Sequence, residues 1–269
     1  CRCSVTARCY DRAMETVLQF APGTWALVIG VALVAGLVKG VVGFAMPMVL
    51  ISGLGSVVSP EVALAALIFP TLVTNLWQAL RQGWRAAWES IRAFRLFMGV
   101  GLVVLVGVAQ LVPHLPKSLM SLMIGVPVTL YAGAGVMGRP LRLPAGAGRR
   151  GEAIMGVVAG FFAGFSGVWG PPTVAMLTAR GTEKAEQMRV QGAIYGLGVV
   201  ALLGAHIVSG VLSAQTMPLS VALVVPGLIG LWAGFRISDR IDQATFRKAT
   251  LWVLLIAGLN LIRRGVLAI

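Results

Sequence analysis

The stretches GLVKGVVGFAMP, residues 36–47, and GFFAGFSGVWGP, residues 160–171, carry one signature twice. Both follow the spacing G-x3-G-x2-G-x3-P, and position 160 stands 124 residues after position 36. Because glycine tolerates a left-handed backbone and proline removes a backbone donor, each stretch predicts a helix that is interrupted within an apolar segment. Paired interruptions of this kind in the two halves of a membrane protein are typical of a transporter's binding site.

The composition is that of a membrane protein. Hydrophobic residues make up 58% of the chain and charged residues 12%, and the mean hydropathy is +0.89; soluble domains are nearer about 45–50% apolar and about 25% charged. A helix needs about 20 apolar residues to cross a bilayer. The apolar segments are residues 24–57, 61–80, 94–112, 118–138, 152–178, 190–212, 217–235 and 247–262. We therefore expect an all-α polytopic membrane protein with two homologous halves.

The halves are residues 1–138 and 152–269, joined by a basic connecting loop at 139–151. Each motif segment is followed by three further apolar segments, and the third segment of each half holds a Gly-Leu pair. These pairs are Gly101-Leu102 and Gly227-Leu228. Residues 1–13 precede Met14, a more natural start, and are interpreted as a possible non-native extension. They contain all three cysteines, to which we assign no function.

The loop charges favour inverted halves. If each motif segment enters the membrane and turns back, or is sharply broken, the loops on one side collect 15 Lys and Arg and those on the other side six. Eight simple crossings give a weaker split of 13 against eight. Since Lys and Arg mark cytoplasmic loops, the first topology is favoured. It places both termini on the side of the membrane away from the cytoplasm. We expect this membrane to be a bacterial-type inner membrane.

Several functional classes lack their sequence signals. The net charge of +13 comes from cations clustered in loops, so we expect no nucleic-acid partner. There is no G-x-x-x-x-G-K-[ST] loop for ATP and no H-E-x-x-H site. No nucleophile stands with a base at usable spacing, and no Asp or Glu lies in the middle of a segment. We expect no enzyme activity, cofactor or metal, although a membrane scaffold and an intramembrane enzyme remain the alternatives.

The two motif segments resemble the TauE/SafE sulfite exporter family, also called four-toluene sulfonate uptake permeases. The resemblance is strongest over GFFAGFSGVWGPPTVAMLTARG, residues 160–181, and continues in Glu186-Gln187-Met188-Arg189, where that family usually has an arginine. In the first copy the family's usual extra glycines are replaced by Phe44, Ala45 and Met46. The resemblance implies a secondary transporter of small anions, either sulfur-containing (sulfite, sulfonate, thiosulfate) or organic acid anions. It implies alternating access around a midplane site, with membrane lipid around the protein. The coupling ion, the direction and the oligomeric state stay open.

Lys39 is the most informative single residue. It stands between Gly36 and Gly40 inside an apolar segment, where a cation costs roughly 2.5–3.5 kcal/mol on insertion scales and usually faces a cavity or a partner. We expect it to attract the anion in one central cavity with the break at Gly167–Pro172; the alternative is that it snorkels to an interface. The predicted substrate-binding residues are Lys39, Gly40, Gly43, Pro47, Asn75, Ser166, Gly167, Gly170, Pro171, Pro172 and Arg189.

Other members of this set have second interpretations. The motif glycines also suit tight helix packing. Asn75 either reaches the cavity or bonds a neighbouring helix, and Arg189 is either an anion ligand or an ordinary loop cation. Gln191 and Tyr195 follow Arg189 at roughly one-turn spacings and are further candidates for the same face.

Overall fold

The structure, a computed structural model, describes residues 22–55, 57–109, 117–139, 148–166, 170–208 and 211–267. These described residues form twelve α-helices and no β-strand. The helices are α1 Pro22–Val42, α2 Met46–Leu54, α3 Pro60–Leu80, α4 Trp84–Ala93, α5 Arg95–Ala109, α6 Lys117–Val136, α7 Gly148–Ser166, α8 Gly170–Ala179, α9 Lys184–Val208, α10 Met217–Ala222, α11 Val224–Arg240 and α12 Gln243–Leu267. Helices satisfy their own backbone hydrogen bonds, as a segment in a bilayer must. The predicted all-α class is confirmed.

Four helical stretches among the described residues are long and apolar enough to cross a membrane. They are α1, Val62–Leu80 of α3, Met217–Arg240 and α12; a fifth results if α4 and α5, which meet at an angle of 66°, are one span. The other predicted segments also fold as helices, but they are shorter or more polar over the residues described. The chain is a multi-pass membrane protein, while the inversion of its halves stays a prediction.

Large apolar side chains cover the outer face of α12. Trp252, Ile256 and Leu259 recur every three or four residues and are about half exposed or more, while Leu254 and Gly258 lie on the buried face. A helix that is apolar on both faces has no stable surface position in water. The exposed face of α12 therefore suits contact with lipid.

The helix boundaries repeat along the chain. Three of them recur 124 residues apart: the ends at Val42 and Ser166, and the starts at Met46 and Gly170 and at Pro60 and Lys184. The interruptions therefore fall at matching positions of the two glycine–proline motifs. The first interruption contains Gly43 at φ 87° and Ala45 at φ 75°. An alanine whose backbone is in the left-handed region costs about 1–2 kcal/mol. Ala45 therefore holds a conformation that suits glycine better, and glycine is usual here in the pattern that this segment resembles.

The contacts divide the chain into two units, each combining helices from both halves. Unit 1 comprises Cys1–Val41, Ala45–Leu76 and Gly196–Ser238. Its apolar core joins α1, α2 and α3 of the first half to α10 of the second, through fully buried side chains such as Met46, Leu50 and Leu219.

Close glycine packing joins α1 to α11 inside unit 1. A Cβ added to Gly36 would lie 2.2 Å from the carbonyl oxygen of Gly227, and one added to Gly40 would lie 2.4 Å from that of Leu231. Conversely, a Cβ on Gly230 would lie 2.1 Å from the carbonyl oxygen of Leu33. These backbones approach as small-x3-small motifs allow in membranes.

Unit 2 comprises Val42–Phe44, Trp77–Tyr195 and Asp239–Ile269. Here α7 packs on α5 in the same manner, since a Cβ on Gly160 would lie 2.3 Å from the carbonyl oxygen of Gly101. The carboxylate of Glu152 accepts a hydrogen bond of 3.1 Å from the backbone N–H of Phe97, near the start of α5. An acidic group at a helix N-terminus is favourable because of the helix dipole.

A proline inside α3 leaves one backbone carbonyl of this helix without its usual donor, and a serine of α10 supplies a hydrogen bond instead. Pro70 lies inside this helix and has no N–H to donate to the carbonyl of Ala66. The hydroxyl of Ser220 donates to that carbonyl over 3.1 Å and accepts from the N–H of Phe69 over 3.1 Å. A bilayer supplies no water for such groups, so Ser220 provides the missing partner.

Candidate functional site

Lys39 is a buried cation in the last turn of α1. Its side chain is only 2% exposed, and its ammonium group donates a hydrogen bond to the amide oxygen of Asn75 on α3. Both residues belong to unit 1. The position at the C-terminal end of a helix favours a cation because the helix dipole is negative there. A snorkelling lysine would expose its ammonium group, and Lys39 does not.

The hydrogen-bond partner of this cation is a neutral group. Asn75 is also 2% exposed. Thr71 and Thr74 precede Asn75 on α3 by four residues and one residue. The hydroxyl of Thr71 donates to the carbonyl of Leu67 and that of Thr74 to the carbonyl of Pro70, over 2.6 Å each. Within the described ranges the recorded ion pair joins Arg81 to Asp239, and no carboxylate pairs with Lys39. Among the described residues the ammonium group therefore faces an amide dipole and no opposite charge.

Gly40 follows Lys39 and has a packing contact. It lies against Leu231, Gly234 and Phe235 of α11, where an added Cβ would be 2.8 Å from the Cα of Gly234. Gly36, one turn earlier, is packed in the same way. The structure thus places these two glycines where they bring α11 close to the turn that carries Lys39.

Gly43 directly follows the end of α1 and belongs to unit 2. The side-chain amide nitrogen of Gln78 donates to the carbonyl of Gly43 over 3.0 Å and to that of Met188 over 2.7 Å. Gln78 therefore satisfies a carbonyl that the interrupted helix leaves without a partner. A Cβ on Gly43 would lie 2.0 Å from the side-chain oxygen of Gln191, and the φ of 87° at this position favours glycine.

Pro47 lies in the first turn of α2, a position where proline needs no N–H. The N-cap residue Ala45 offers no side-chain cap to this helix. The first-turn N–H groups of α2 are thus not satisfied by a capping side chain.

The second motif is only partly described. The carbonyl of Gly170, at the start of α8, accepts a hydrogen bond of 3.1 Å from the hydroxyl of Tyr195. Gly167 and the side chains of Ser166, Pro171 and Pro172 lie outside the described residues. A cavity shared by Lys39 and Gly167–Pro172 therefore stays a prediction.

Arg189 donates its hydrogen bonds to other protein groups. Its Nε donates to the hydroxyl of Ser90 over 2.6 Å, and Nη1 donates to the side-chain oxygen of Gln82. These contacts join α9 to α4 and to the turn before it, within unit 2. The geometry agrees with the structural interpretation of Arg189, and its role as an anion ligand stays a prediction.

Two glutamines near the first break were underweighted by sequence reasoning. Gln78 was not singled out, although a polar side chain within an apolar segment is itself a signal of function. Gln191 was named only as a secondary candidate. Both side chains are at most 2% exposed.

Among the described residues, no group of three or more His, Cys, Asp or Glu side chains is placed to hold a metal ion. In comparison with known proteins, a family model described as sulfite exporter TauE/SafE matches residues 28–261. No curated protein and no solved structure matches the chain. The match spans both motifs, the connecting loop and all twelve helices in whole or in part.

Proposed function

Because the chain belongs to the sulfite exporter TauE/SafE family, a family of membrane transporters, we propose that it is a secondary transporter of one small anion that binds at Lys39. The substrate class is sulfur-containing anions (sulfite, sulfonate or thiosulfate) or organic acid anions. Transport proceeds by alternating access around a site at the membrane midplane, in a bacterial-type inner membrane. Neither a carboxylate within the apolar segments nor an enzymatic step takes part in this transport.

The observation that carries the proposal is the pairing of buried Lys39 with a neutral amide. An ammonium group taken out of water costs several kcal/mol unless an opposite charge compensates it. Asn75 orients the ammonium group but leaves its charge in place. A small anion is the counter-charge that this arrangement accepts.

The surrounding glycines support the same interpretation. Gly36 and Gly40 hold α11 against the turn that carries Lys39, and the Lys39 side chain is only 2% exposed. At low effective dielectric an anion and this cation attract each other more strongly than they would in water. Selectivity for charge then follows from the cation.

Reconstituted vesicles provide the test. Uptake of sulfite, thiosulfate, a sulfonate and a carboxylate is measured with the unmodified protein, with Lys39→Met and with Lys248→Met. Lys248→Met removes the same charge from an exposed position in α12 and serves as the matched control. We expect uptake of at least one anion to be lost in Lys39→Met and kept in the control. Equal uptake by all three proteins would refute the role of Lys39.

A further inference from the structure

The side-chain amide of Gln191 is fully buried, and neither its oxygen nor its nitrogen has a hydrogen-bond partner among the described residues. The side-chain oxygen of Gln78 is also buried and without a partner there. Both residues belong to unit 2. Their helices α3 and α9 approach closely, since a Cβ on Gly192 would lie 2.6 Å from the backbone nitrogen of Ala79.

The orientation of Gln78 is fixed by its partners. Its amide faces the carbonyl oxygens of Gly43 and Met188, both of which only accept hydrogen bonds. The nitrogen must therefore face them, and the oxygen is the atom left without a partner. Gln191 lies directly against Gly43, because its oxygen is 2.0 Å from the point where a Cβ of Gly43 would be.

Three buried polar atoms without a partner on two closely packed helices are unusual. Most buried side-chain polar atoms in proteins have a hydrogen-bond partner, and each exception requires an explanation. In a membrane segment, water does not generally reach such groups. A ligand with both a donor and an acceptor would supply the missing partners.

We propose that Gln78 and Gln191 form, within unit 2, a subsite for an oxyanion that still carries a proton, such as hydrogen sulfite. This inference rests on the proposed transport function and specifies the form of the substrate. The Gln78 oxygen can only accept a hydrogen bond, whereas the Gln191 amide can both accept and donate. The Gln78 oxygen accepts from the ligand's O–H group, and the Gln191 nitrogen donates to a bare ligand oxygen. A fully deprotonated oxyanion has no hydrogen to offer and meets the Gln78 oxygen without compensation.

Substituting Gln191 tests the subsite. Gln191→Met keeps the length of the side chain and removes both unpartnered atoms, so the thermal unfolding midpoint in detergent should stay the same or rise. Gln215→Met, at an exposed loop position, is the matched control. In vesicles, the KM for sulfite near neutral pH should rise about tenfold in Gln191→Met, the loss of one or two hydrogen bonds to a charged ligand. Methanesulfonate has no O–H group to offer the Gln78 oxygen and so is not held at the subsite, and its KM should change less than twofold.

The unmodified protein gives a second readout that does not depend on a variant. As pH is varied, the KM for sulfite should be constant when expressed as the concentration of the protonated monoanion. A KM that follows total sulfite, or the dianion, would overturn the inference.

The variant results separate three further outcomes. Unchanged KM values for both anions in Gln191→Met would mean that the amides hold only ordered water, which overturns the subsite. An equal rise for both anions would overturn the preference for a protonated ligand. If Lys39→Met abolishes uptake while Gln191→Met has no effect, the transport proposal stands and the subsite fails. If the unmodified protein carries none of these anions, both fail.

Discussion

Lys39 of α1 and Asn75 of α3 are joined by a hydrogen bond between two buried side chains, 36 positions apart in the chain. Their pairing satisfies one donor of the ammonium group without neutralising its charge. The distinction matters because a buried ion pair would leave no net charge for a substrate anion to compensate. A buried cation whose partner is an amide keeps its positive charge, which an anion can compensate.

Changing the partner of Lys39 should change anion affinity through charge. Asn75→Asp replaces the amide with a nearly isosteric carboxylate, which would pair with the ammonium group. The protein should stay folded, while the anion must compete with an internal counter-charge and should bind at least tenfold more weakly. The measurement is a binding isotherm with the preferred anion, with Asn260→Asp in α12 as the control for an added carboxylate.

Asn75→Leu distinguishes orientation from competition. It leaves the ammonium group without its acceptor, and a buried donor without a partner costs about 1–3 kcal/mol. The thermal midpoint should fall in Asn75→Leu and recover when Lys39→Met is added. Independent effects of the two substitutions would show that the hydrogen bond makes no contribution to stability.

The motif glycine Gly36 should tolerate no side chain. A Cβ there would meet the carbonyl oxygen of Gly227 at 2.2 Å, and this oxygen belongs to the backbone, which shifts only at a cost. Gly36→Ala should lower the stability by about 1–3 kcal/mol, the usual cost of overpacking. Gly30→Ala in the same helix is the matched control, since nothing lies within 4 Å of its added Cβ.

Gly30→Ala should instead raise the thermal midpoint slightly, because alanine favours helix over glycine by about 1 kcal/mol. If both substitutions have the same effect, close packing of α1 on α11 is not what Gly36 provides.

Substitutions of Ser220 and Pro70 should have coupled effects on the thermal midpoint, because both residues determine whether the Ala66 carbonyl has a hydrogen-bond donor. Ser220→Ala leaves the carbonyl of Ala66 and the N–H of Phe69 without a side-chain partner, at a cost of about 1–3 kcal/mol. Pro70→Ala restores a backbone donor for the Ala66 carbonyl. Added to Ser220→Ala, it should recover part of the lost stability; strictly additive thermal midpoints would contradict the account.

The inverted arrangement of the halves predicts on which side of the membrane Ile269 lies. The loops that collect 15 cations lie on the cytoplasmic side in this topology, so Ile269 lies on the other side. An alkaline phosphatase fused after Ile269 should be active, and a green fluorescent protein at the same place should be dark. The reverse pattern, or a structure with parallel halves, would contradict the topology.

The sequence predicted local features more successfully than partnerships. The two interruptions could be located because glycine and proline act on the backbone where they stand, and α1 ends at Val42, just before the predicted glycine. The Gly-Leu pairs at Gly101 and Gly227 were recognised as repeated. Their contacts with Gly160 and Gly36 were not predicted, because a contact between distant helices leaves no trace in local spacing.

The candidate site shows the same limit. Lys39 stood out because an isolated cation in an apolar segment is costly, and Asn75 stood out as a polar residue in another segment. Their direct pairing depends on how α1 and α3 pack, which composition does not specify. Helix α4 was missed because its amphipathic sequence, with Trp84 and Trp88 exposed and Ala87 buried, is too polar to register as an apolar segment.

The most direct test of the central claim is the dissociation constant of the transported anion, measured by calorimetry on purified Lys39→Met and Lys248→Met. We predict that Lys39→Met folds and binds the anion about ten- to a hundredfold more weakly, the loss of one charge-assisted hydrogen bond of about 1.5–3 kcal/mol. Lys248→Met should bind as the unmodified protein does. Equal affinity in all three proteins would contradict the claim that Lys39 is the charge that holds the substrate.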